Sequence, residues 1–168
     1  MKILKALKKV FSRENGLGMI EMFVVLALII GTFVAMLQLA MFERRSQVLA
    51  GQRIKATLLT EQALEVTRSM RDKDWDAFTA LSLDTPYHPV FSGNDWDLSL
   101  TNPGPTDIYT ISVQLSEVFR DGAGDIAGSG TSDPETREAT ATVSWTAPGG
   151  DANSIDISTY FTNWRGHQ

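Results

Sequence analysis

The chain has 168 residues, a formal charge of −5 at pH 7 and no cysteine. That length holds one modest globular domain beside a long apolar segment, and the lack of cysteine excludes a disulfide framework, a thiol nucleophile and a cysteine-held metal. Residues 1–16 carry five bases and one acid, which leaves the rest at −9; a chain that acidic repels phosphate, so no nucleic-acid partner is expected.

Residues 1–16, MKILKALKKVFSRENG, form a basic head. From Met22 to Phe42 follow 21 residues without a charge or a proline. As helix they reach roughly 31 Å, against about 30 Å for a hydrocarbon core. A helix can cross there alone because its backbone groups pair internally. The positive head places the N-terminus in the cytoplasm and the residues after Phe42 outside the inner membrane. A secretory signal would be cut after its apolar region, whereas a cut at Gly16, where the basic head ends, would precede that region and keep the helix. One carboxylate, Glu21, stands where the apolar run has already begun. A plain single-pass anchor accounts for the head and the span but does not require that costly residue, which lies close enough to one end to snorkel.

Gly16 closing a basic leader, an apolar helix behind it, and Glu21 five residues on together resemble the N-terminal motif of the type IV pilin and pseudopilin family. The resemblance covers about the first quarter of the chain. It implies a prepilin, with Gly16 as the last leader residue and Leu17 as the N-terminus left by a prepilin peptidase and then N-methylated. It makes Glu21 the assembly glutamate, pairing with the N-terminal amine of a neighbouring subunit. Implied partners are that peptidase, an assembly platform and other pilin subunits packed helix against helix. The protein would wait in the inner membrane and then enter an extracytoplasmic filament, a pilus or a secretion pseudopilus. The departures are Leu17 for the usual Phe, Gly18 for Thr or Ser, Met19 for Leu, and Gln38 where a helix-breaking Pro is frequent; the last leans toward a minor component. The alternatives are a minor or tip pilin acting as a binding module, and a plain membrane-anchored β-domain.

After Phe42 a polar helical stretch runs to about Asp72. Leu49, Ala56, Leu59, Ala63, Val66 and Met70 recur at spacings of 7, 3, 4, 3 and 4, one narrow apolar face to be buried under a globular head. Residues 71–78 end the helix, with Trp75 and Phe78 turned inward, and Leu81 to Asn94, with Pro86, Pro89 and Gly93, reads as a loop. The period then changes to two. Trp96–Leu100, Tyr109–Leu115, Ala139–Trp145 and Ile155–Phe161 alternate apolar with polar residues, as half-buried strands do. The expected class is α+β and pilin-like: a long N-terminal helix, transmembrane in its first half, packed by its second half on an antiparallel sheet of about four strands. The expected domains are a leader at 1–16, a transmembrane and assembly segment at 17–42, and an extracytoplasmic head at 43–168.

Nothing in the sequence points to catalysis, so no enzyme, catalytic residue or cofactor is expected. His88 and His167 have no metal-ligand spacing, and no nucleophile elbow, phosphate loop or zinc-protease motif occurs. Asp72, Asp74 and Asp76 alternate, but an EF-hand needs Gly at 77 and Glu at 83, where Ala77 and Leu83 stand. Asp121 and Asp125, in a Gly-rich excursion between the second and third long strands, are weak calcium candidates beside the reading as a solvated hairpin. Of four tryptophans most should be core, and the least buried would offer a contact surface.

Overall fold

The computed structural model describes residues 17–164. In chain order they form helix α1 (Leu17–Lys73), helix α2 (Trp75–Thr79) and strands β1 (Pro86–Ser92), β2 (Asp95–Ser99), β3 (Tyr109–Arg120), β4 (Ile126–Ala127), β5 (Thr131–Thr146) and β6 (Ala152–Thr162). The chain divides into two units between Val48 and Leu49.

In the first unit α1 carries an apolar window of mean hydropathy 2.5, none of it buried. It is long and apolar enough to cross a membrane. No proline interrupts its ladder, and Thr32 donates its hydroxyl to the Ile29 carbonyl at 2.9 Å, so the one hydroxyl of the span is satisfied within the helix.

In the second unit α1 packs on an all-antiparallel sheet of order β2-β1-β3-β5-β6, with β4 pairing β3 beside that path. The α+β arrangement read from the periodicity is therefore the one found, with six strands rather than four. The buried face of α1 is centred on Ala56, Thr60, Ala63, Val66 and Thr67. Leu59 and Met70 are half-buried and Leu49 is exposed, so the face is rotated from the expected apolar stripe. Two threonines can replace large apolar residues there because each hydroxyl bonds back one turn, Thr60 to the Ala56 carbonyl at 2.8 Å and Thr67 to the Ala63 carbonyl at 2.9 Å. Opposite lie Ala139 and Ala141 of β5, both fully buried. Small residues on both sides suit a close approach of helix and sheet.

Two apolar clusters make up the core. One gathers Ala63, Val66, Phe78, Tyr87, Leu98, Val113, Leu115, Ala139, Ala141 and Phe161. The other gathers Ala56, Tyr109, Val143 and Trp145. In the second, Tyr109 donates its hydroxyl to the Gln52 carbonyl at 3.2 Å, and Lys55 lies over the Tyr109 ring while pairing with Asp107 at 2.9 Å. The other face of the sheet presents polar side chains, such as Gln114, Thr140, Ser144, Asp156 and Ser158, as expected of a sheet covered on one side.

Three segments depart from the sequence reading. The expected loop at 81–94 contains β1. Its prolines mislead because β1 pairs β3 only at Pro86 and Tyr87 and pairs β2 from His88 to Ser92, so Pro89 sits where one side of the strand makes no ladder. In β2 only Leu98 is buried, while Trp96 is exposed, as is Leu100 just beyond the strand's end. The turn after α1 is a short helix, α2, whose N-cap Asp74 accepts from the Ala77 amide at 3.0 Å. Phe78 turns inward as expected, and Trp75 is half-buried. Of the four tryptophans only Trp145 is fully buried; Trp96 and Trp164 are exposed.

The Gly-rich excursion is a tight β3–β4 hairpin followed by a return into β5. The register slips between Glu117 and Phe119, which bends the strand at a bulge. At Gly130, with φ of +146°, a Cβ would stand 2.2 Å from the Arg120 carbonyl oxygen. Only glycine lets the two backbones approach so closely.

Candidate functional site

The residues singled out by the sequence lie in two places. Gly16, on the leader side of the expected cut, is outside the described residues. Leu17 opens α1. Glu21 is the fifth residue of that helix, so the first turn holds no acid and the dipole of the helix start, which fades within a turn, gives it little help. Its side chain is exposed and forms no ion pair among the described residues. Around it stand Met19, Ile20, Met22, Phe23, Val24 and Val25, all exposed. The geometry is that of a lone carboxylate on an otherwise uncharged helix surface, and it has two physical fates. At a membrane boundary it reaches headgroup water. In a dry helix bundle it requires a cation.

The calcium candidates are arranged as a turn. Asp121 accepts from the Ala123 and Asp125 amides at 2.9 and 3.0 Å through one oxygen, and its own amide donates to the Asp125 carbonyl at 2.9 Å. The Arg120 guanidinium donates to the Gly124 carbonyl at 2.8 Å, so a cation already occupies the carbonyl that a loop calcium would want. No group of three or more His, Asp or Glu placed to hold a metal occurs among the described residues. His88 is buried, and its Nδ1–H donates to the Ile111 carbonyl at 2.7 Å, a structural role.

Arg120 also anchors the hairpin to β5. Its Nε donates to Asp133 Oδ2 at 2.6 Å, and the Thr136 hydroxyl donates to the same oxygen at 2.7 Å. The Glu135 amide donates to the other oxygen at 3.0 Å. The Thr136 hydroxyl, then Arg120 and the Glu135 amide, hold the Asp133 carboxyl below its ordinary value against the opposing effect of burial. A depressed carboxylate contributes stability above the unfolded value of about 3.9, and that stability is lost as pH falls through the lower folded value. Asp133→Asn is accordingly expected to lower the melting temperature by about 5 °C at pH 7, with the difference shrinking as pH falls below about 3.9, as read by thermal unfolding across that range.

Sequence reasoning did not anticipate the exposed aromatic pair Phe91 and Trp96, cross-strand partners in the β1–β2 hairpin with ring centroids 5.3 Å apart. The proline-containing segment concealed the first strand of that hairpin. No family model, curated protein or solved structure matches the chain, so the functional reading stands on the residues themselves.

Proposed function

We propose that the chain is a pilin-like structural subunit of a type IV pilus or pseudopilus, a minor component assembled through its apolar N-terminal helix. The observation that carries the reading is the lone Glu21, five residues after Gly16, in a helix that is otherwise uncharged to Phe42. In support, the second part of the same helix packs on an antiparallel sheet, an architecture compatible with a pilin head. In this reading a prepilin peptidase cuts after Gly16, and the chain rests in the inner membrane with its head outside. An assembly platform then draws it into a filament. There the Leu17 amine of a neighbour pairs with Glu21, offsetting the cost of a charge in a dry bundle, and close packing of apolar helices contributes the rest.

The mature protein in sheared filaments is then expected to begin at Leu17, with a mass lower by residues 1–16. Gly16→Ala is expected to slow that cleavage without changing insertion, because the span is untouched. N-terminal sequencing and intact mass of the membrane and filament fractions check both. Residues 1–16 still attached to filament protein would sink the proposal.

A further inference from the structure

A cavity of about 470 Å³ opens where the end of α1 and the start of α2 meet the β1–β2 hairpin. Met70 and Phe78 give it apolar walls, and Lys73, Asp74, Asp95 and Asp97 surround them. Lys73 pairs with Asp95 at 2.6 Å, which ties the helix to the hairpin and neutralises one acid. Asp74 and Asp97 each spend one oxygen on a backbone amide, of Ala77 and of Leu98. Their second oxygens take no donor among the described residues. Beside them stands the Trp96 indole, 40% exposed and fixed edge-to-face by Phe91. Lys73 also lies near enough to Asp97 to interact with its charge, so three acids share one base; that surplus of carboxylate beside a fixed indole is the chemistry that binds a guanidinium, which stacks on the ring and hydrogen-bonds to the acids.

Among the described residues three exposed arginines form no ion pair, Arg44, Arg45 and Arg53, and of these only the first two stand together. Residues 74–168 hold fourteen acids and three bases, so copies meeting sheet to sheet repel. A contact that sets the basic pair of one copy against the acidic cavity of the next replaces that repulsion by attraction, and two arginines match the net −2 of the cavity lining. We propose that this cavity receives the Arg44–Arg45 pair of a second copy of this chain, with a guanidinium on Trp96 hydrogen-bonded to Asp74 and Asp97. The contact joins different patches of the two copies and therefore propagates along an assembly instead of closing a dimer. The inference rests on the filament reading above.

The absence of cysteine makes the test clean, since introduced thiols are the only ones. Ser46→Cys and Ser92→Cys chains, which keep every charge of the contact because Ser46 adjoins Arg45 and Ser92 lines the cavity, are co-expressed with the filament machinery and treated with a short bismaleimide, because an arginine stem separates the two backbones further than a disulfide spans. A cross-linked dimer in sheared filaments that neither variant gives alone is the expected result. Asp97→Asn, which keeps the oxygen facing the Leu98 amide, is expected to lower recovery in filaments about tenfold. Asp97→Arg is expected to do the same, with recovery restored by Arg45→Asp in the same chain. Filaments that form normally with either Asp97 variant and give no mixed cross-link would overturn this contact and leave the filament reading standing. A mixed cross-link unchanged by a free arginine-containing peptide but lost with Arg45→Asp further supports the second copy over a foreign cationic segment; displacement by that peptide with no copy-to-copy cross-link overturns it. Failure of the wild-type chain to enter any filament would overturn both readings.

Discussion

Glu21→Val is expected to leave the chain inserted and cleaved at wild-type levels while its amount in filaments falls at least about tenfold. Glu21 stands alone, exposed and without an ion pair among the described residues, on a helix with no other charge before Glu43. Near a membrane boundary its cost is modest, because water reaches it. Between apolar helices the cost rises to several kcal/mol unless a cation meets it, and an amine freed at Leu17 is such a cation. Valine removes the cost and the partner together, so insertion is unharmed and the register between neighbours is lost. A plain anchor predicts the reverse, a neutral or favourable substitution. The measurement is the ratio of cleaved variant in sheared filaments to that in membranes; a wild-type ratio would return Glu21 to the snorkelling role.

Phe78→Ala is expected to destabilise a fragment spanning residues 43–168 by about 3–5 kcal/mol, read as a shift of the urea midpoint without a change in slope. Phe78 has no exposed surface. Its ring lies 5.6 Å from Trp75 and edge-on to Phe161 at 6.0 Å, and Phe161 in turn carries the Arg71 guanidinium at 5.3 Å. One side chain thus joins α2, the end of α1 and β6, and its removal leaves a cavity bounded by three elements that cannot all collapse. Against a total stability of about 5–15 kcal/mol for a domain, that loss is a large share. A loss below about 1 kcal/mol would show that α2 is not held by this contact.

The elements that were legible in the sequence are those whose burial follows a period. Tyr109, Val113, Leu115, Ala139, Ala141, Val143, Trp145 and Phe161 lie inside as their alternation requires, and Ala56, Ala63 and Val66 follow the helical stripe. Thr60 and Thr67 were not legible, because a hydroxyl that bonds to the preceding turn behaves in a core as a small apolar group, and no pattern of residue types reveals that bond. Nor was β1, since its ladder partners change from β3 to β2 at the point where Pro89 would forbid a central strand. The motif at Gly16 and Glu21 was legible as residue types and spacing, whereas the cavity beside Trp96 was not: it depends on Asp74 and Asp97, far apart in sequence, arriving at one place through that same unforeseen strand.

The four glycines between Gly122 and Gly130 are unequal in what they tolerate. At Gly122 and Gly128 an added Cβ meets open space without a positive φ, whereas Gly124 carries a φ of +90° and Gly130 faces the Arg120 carbonyl. Drift in this loop is therefore nearly free at two positions, strained at a third and barred at the fourth. Across divergent versions of this chain, residues and even lengths should vary at the hairpin tip while the return into β5 stays fixed. A surface built that way can change what it displays to its surroundings without a cost to the sheet beneath it.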